Sequence, residues 1–116
     1  MPYRKTDDIE LISSAQRTSS STGSYYKVED LIEGRVYIDI TALSGSDTPT
    51  LTVTVQDSPD GTDWYTHTAS GALTATGNYP LSLTNFGKYI RISYAISGTF
   101  TAGQGITFDI TFVGKS

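Results

Sequence analysis

The chain contains no cysteine and one histidine, His67. That removes disulfides, thiolate metal sites and cysteine nucleophiles together, and leaves one imidazole to act as a base. No cofactor and no metal are expected. Basic charge is also scarce, with 8 Lys and Arg against 12 Asp and Glu and a net charge of −4 over 116 residues. Binders of nucleic acid or of anionic membranes need a basic face that displaces counterions, so neither partner is expected. No apolar run approaches the ~18 residues of a membrane helix. The start, Met1-Pro-Tyr-Arg-Lys-Thr-Asp-Asp, lacks the apolar segment of a signal peptide, and synthesis in the cytoplasm without a secretion signal is expected. A sustained 3.6-residue apolar stripe is missing too, which excludes a parallel α/β fold.

What the chain has in quantity is serine and threonine, 32 residues in all, and threonine suits the exposed face of a strand. Residues 50–56 alternate strictly, with Leu51, Val53 and Val55 on one face and threonines on the other. In 106–112 the inward set is Ile106, Phe108, Ile110 and Phe112; in 35–41 it is Val36, Ile38 and Ile40; in 88–96 it is Ile90, Ile92, Tyr94 and Ile96. A period of 2 with one apolar face marks a half-buried strand of an antiparallel sheet. Further strands are expected at 25–30, 63–69 and 79–83, and a strand or short helix at 9–13. Turn-forming residues separate them: 44–47, 58–61, 77–78, 85–87, 97–98 and 103–105. The sequence therefore predicts one all-β domain, an antiparallel β-sandwich of about eight strands, jelly-roll or immunoglobulin-like. Residues 13–24 are small, polar and aperiodic and read as a loop. The expected organisation is an N-terminal arm and Ser-rich connector over 1–24, and a sandwich over 25–116.

Catalytic patterns do not emerge. His67 has no nucleophile or acid marked beside it, and neither a G-x-S-x-G elbow nor H-E-x-x-H occurs. The segment Asp57-Ser-Pro-Asp-Gly-Thr-Asp63 holds three carboxylates, but it lacks the ligand spacing of a calcium loop. It reads as a turn, with Pro59 presetting φ, Asp60 accepting a local hydrogen bond and Gly61 taking φ > 0. The glycines sit in turns, and none follows a strand to open a phosphate-binding helix. Trp64, just after the hairpin, reads as a core anchor. Tyr25, Tyr26, Tyr65 and Tyr79 flank strands and turns, where amphipathic rings serve as protein contacts or as a platform for sugars. The chain is expected not to be an enzyme.

The hairpin Ser58-Pro-Asp-Gly61 ahead of Trp64, followed by the strand Gly87-Lys-Tyr-Ile-Arg91, resembles small β-sandwich virion structural proteins of tailed bacteriophages and prophages. The resemblance spans residues 35–115. It implies a capsid decoration (cement) protein on the outer surface of the virion head, made in the host cytoplasm, commonly a trimer. Its partners would then be the major capsid protein and further copies of itself. Candidate capsid or subunit contacts are Tyr3, Arg4 and Lys5 in the arm, with Tyr25, Tyr26, Tyr65 and Tyr79. The alternative is a carbohydrate- or receptor-binding sandwich module of a phage tail or host-surface protein, and a third reading is a tail-tube or head–tail connector subunit.

Overall fold

The period-2 segments become long strands in a computed structural model that describes residues 6–116. The described elements are β1 (Thr6–Arg17), β2 (Ser21–Thr22), β3 (Tyr26–Lys27), β4 (Glu33–Ser44), β5 (Ser46–Ser58), β6 (Tyr65–Leu73), β7 (Gly77–Thr84), β8 (Tyr89–Thr99) and β9 (Gly105–Lys115). They form two antiparallel sheets, the first ordered β1-β9-β4-β7 and the second β2-β8-β5-β6, with β3 also on β8. The pairs nest: β1 with β9, β2 and β3 with β8, β4 with β7, β5 with β6. Nested pairing is that of one long hairpin rolled over on itself, the jelly roll, and it sets aside the immunoglobulin-like alternative. The tip of the hairpin is the 58–64 turn.

The core lies between the sheets where the alternation places it. Val36, Ile38, Ile40, Leu51, Val53, Val55, Ile90, Ile92, Ile106, Phe108, Ile110 and Phe112 are all buried, and Tyr94 nearly so. Ile96, near the end of β8, is only half-buried against this cluster. Phe108 meets Tyr94 edge-to-face at 5.1 Å, a favourable ring geometry that ties the two sheets together.

Two expectations are corrected. Residues 13–17 are not loop: they continue β1, which pairs with β9 from Thr6 to Arg17. Register shifts between Glu10 and Ile12 and between Ile12 and Ala15 break the two-residue period, so consecutive Leu11 and Ile12 both enter the core. A bulged strand of this kind leaves no alternation to read. The sandwich thus begins at β1 rather than at Tyr25. The connector after β1 is stitched down as well. Ser20 Oγ accepts from Ile96 N–H at 2.9 Å, Gly23 N–H donates to Ile92 at 2.8 Å, and the Arg17 guanidinium lies 5.0 Å from the Phe108 ring centre.

Candidate functional site

The hairpin tip comes first, because it positions everything beside it. Ser58 is fully buried; its Oγ accepts from the N–H of Asp60 at 3.2 Å and of Gly61 at 2.8 Å, and its hydroxyl donates to Asp60 Oδ1 at 3.1 Å. Asp60 Oδ1 also accepts from the N–H of Asp63 and of Thr62, both at 2.9 Å. These backbone donors, Asp63 foremost, hold the Asp60 carboxyl below its ordinary range. Pro59 leads into the turn and Gly61 has φ +82°. Asp57 Oδ2 accepts from Gly87 N–H at 2.8 Å, pinning the hairpin to the approach of β8. Two of the three carboxylates of the segment therefore face backbone donors. No group of three or more His, Asp or Glu that could hold a metal occurs among the described residues.

The turn delivers Trp64 to the outer face of the second sheet, not to the core, which corrects its reading as an anchor. There the Arg91 guanidinium stacks on the indole at 4.2 Å, and Arg91 Nε donates to Gln56 Oε1 at 2.7 Å. Tyr25 stands beside Trp64 with ring centres 5.7 Å apart and planes tilted by 40°. Tyr89 meets Tyr25 edge-on at 5.5 Å. The order β3-β8-β5 explains the assembly: residues flanking Ile90 and Ile92 point outward because those two point inward. Lys27, on the same side of β3 as Tyr25, pairs with Glu29 at 3.0 Å. The hydrogen bond and charge of Glu29, then Tyr89, raise the Lys27 ammonium above its ordinary value.

The tyrosine candidates separate. Tyr25 is 55% exposed and belongs to this cluster, and Tyr65 is 60% exposed at the start of β6. Tyr26 and Tyr79 lean on the core, and the Tyr79 hydroxyl donates to the Ala75 carbonyl at 2.7 Å. Tyr3, Arg4 and Lys5 lie outside the described residues. Trp64, Tyr89 and Arg91 were missed as a group by sequence reasoning. The signal available for two of them was outward parity in 88–96, opposite to Ile90 and Ile92. His67 sits edge-on to Phe86, with ring centres 6.4 Å apart.

The outer face of the first sheet differs in kind. Asp39 and Asp109 are directly opposed across β4 and β9. Burial, then the charges of Asp39 and Glu10, push the Asp109 carboxyl above its ordinary value. With the folded value raised, the native state binds more protons than the unfolded chain between the two values, so stability falls as pH rises through that window. Asp109→Asn is therefore expected to stabilise the protein at pH 7 by about 0.2–1 kcal/mol, the range of a cross-strand pair. Its advantage over the parent is expected to shrink as pH falls toward 4, and thermal melts across that range check this. A separate open groove of about 350 Å³ between Arg35, Tyr37, Ser82 and Lys115 lies at the end of this face.

A family model described as a domain of unknown function, DUF6385, matches residues 44–116, more than half of the chain. The chain belongs to the DUF6385 family. In this DUF6385 chain the matched stretch holds β5 through β9, with Trp64, Tyr89 and Arg91, whereas Tyr25 and Lys27 come from the preceding part. No curated protein matches the sequence.

Solved structures share the DUF6385 fold at low identity. The SPBc2 prophage-derived protein YomS superposes with a TM-score of 0.57 at 12% identity, over 100% of this chain and 97% of that one. The VP2 subviral particle of infectious bursal disease virus gives 0.63 at 12% identity, over 97% of this chain but 32% of that chain. The Gx strain of the same virus gives 0.61 at 11%, over 98% and 33%. The chain thus spans about a third of the bursal disease virus proteins and nearly the whole of the prophage protein.

Proposed function

We propose that this DUF6385 chain is a non-enzymatic structural component of a phage virion, a decoration protein on the outer capsid surface. Its partners in this reading are the major capsid protein and two further copies of itself. The observation that carries it is the end-to-end correspondence in fold with a prophage-derived protein, in a jelly roll of the kind that virus shells employ. The hairpin and strand motifs of the 58–64 and 87–91 segments point the same way. Tyr3, Arg4 and Lys5 precede β1 in the chain and supply a mixed aromatic and basic anchor, and the exposed Tyr65 is a further contact. Self-association also gives cover to sheet edges. One edge, β7, is already blunted by Pro80, which has no N–H to offer.

The test mixes the purified protein with capsids that lack decoration and follows co-sedimentation, with light scattering for mass. Expected are a species three times the 12.5 kDa chain and saturable attachment. Removing residues 2–5 is expected to weaken attachment at least tenfold, about 1.4 kcal/mol. A monomer at all concentrations that never sediments with capsids overturns the reading.

A further inference from the structure

We infer that the outer face of the second sheet carries a glycan-binding site, built from Tyr25, Trp64, Tyr89 and Arg91, for a neutral pyranose oligosaccharide. The inference does not depend on capsid decoration and adds a binding activity to it. Arg91 covers one face of the Trp64 indole and Tyr89 is half-buried, so Tyr25 offers the open ring face; a pyranose ring presents a face of C–H groups, weakly positive, that suits the negative face of an aromatic ring. Tyr25 is the most open of these rings, at 55% exposure. Trp64 beside it is inclined by 40° with ring centres 5.7 Å apart, and in this proposal the pair is the shallow trough that takes the sugar. Tyr89 buttresses Tyr25 edge-on, and the side-chain-free Gly61 closes behind Tyr89: a Cβ there would lie 3.6 Å from that ring.

Hydroxyls on the rim of a sugar need donors and acceptors, and both surround the trough. The Arg91–Gln56 bond uses Nε and Oε1 and leaves the Arg91 Nη groups and the Gln56 amide nitrogen as donors. Glu29, paired with Lys27, supplies an acceptor and also lines a depression of about 390 Å³ with Leu31, Pro59 and Lys88. Size separates a glycan from a protein partner. Three part-exposed rings of this type present roughly 300 Å² together, against about 800 Å² per side in a stable protein interface. The rim mixes both signs, and the chain's net charge of −4 disfavours polyanions.

Trp64 is the single tryptophan, so its emission reports on the site directly. The intact protein is titrated with maltohexaose, cellohexaose and chitohexaose while Trp64 fluorescence is followed. A saturable change with at least one of the three is expected. Tyr25→Ala is expected to weaken that binding at least tenfold while the protein stays folded, with a small drop in melting temperature from the lost Trp64 and Tyr89 ring contacts. Tyr25→Phe, which keeps the ring, is expected to bind within about threefold of the parent, a small difference beside the tenfold loss of 1.4 kcal/mol. Failure of all three sugars to give a saturable response up to millimolar concentration overturns the inference. So does Tyr25→Ala binding as tightly as the parent. Loss of trimer or of capsid attachment in Tyr25→Ala, without any sugar response, makes the trough a protein contact instead and likewise overturns it.

Discussion

A chain lacking residues 2–12 is expected not to fold, while one lacking only residues 2–5 is expected to melt where the parent does. The longer deletion removes Leu11 and Ile12, both buried, and about two thirds of the ladder that β1 makes with β9. Truncating a buried Leu or Ile to Ala typically costs 2–5 kcal/mol, and two such losses approach the roughly 5–15 kcal/mol that a domain has in total. Opening β9 also exposes the N–H and C=O groups that β1 satisfies, beside a core of Phe108, Ile110 and Phe112. The short deletion retains β1 from Thr6 onward. Far-ultraviolet circular dichroism and a thermal melt of both variants check this. A 2–12 deletion with the parent's spectrum and melting temperature would show that β1 contributes nothing to the fold.

Phe112→Ala is expected to cost about 3–5 kcal/mol, the range for a large ring removed from a packed core. The ring is fully buried, meets Phe86 edge-on at 5.9 Å, and fits over a pair of glycines. Gly34 and Gly114 are directly opposed across β4 and β9. A Cβ on Gly34 would come 2.5 Å from Phe112 Cζ, and one on Gly114 would come 2.7 Å from Phe112 Cε2. Those distances are far inside contact, so the ring occupies space that two side chains would otherwise fill. Gly34→Ala is accordingly expected to cost about 1–3 kcal/mol by overpacking. The same substitution in a Phe112→Leu background is expected to cost less, because the smaller side chain yields room. A thermodynamic cycle over the four proteins measures the coupling. Additive losses would mean that ring and glycine do not compete for that space.

Facing direction is a local property, and the sequence alone determined it. Successive side chains on a strand point to opposite sides whatever lies next to the strand, so the inward sets of 35–41, 50–56 and 106–112 were legible residue by residue. Likewise the turn chemistry of 58–61 depends on neighbours two and three positions away, within reach of inspection. Adjacency is different, because it depends on which strand edge is left unpaired for which partner, and that is settled across the whole chain. Only the tertiary structure decided that 13–17 extends β1 along β9, since the bulges there erase the period that would have announced a strand. Only the order β3-β8-β5 brings Tyr25, Trp64, Tyr89 and Arg91 together from segments up to 66 residues apart. The register of β4 on β9 alone sets Asp39 against Asp109. Alternation dictates what each strand shows to the core; nonlocal hydrogen bonding, which no local window contains, dictates what stands beside it on the outside, where a site must be assembled.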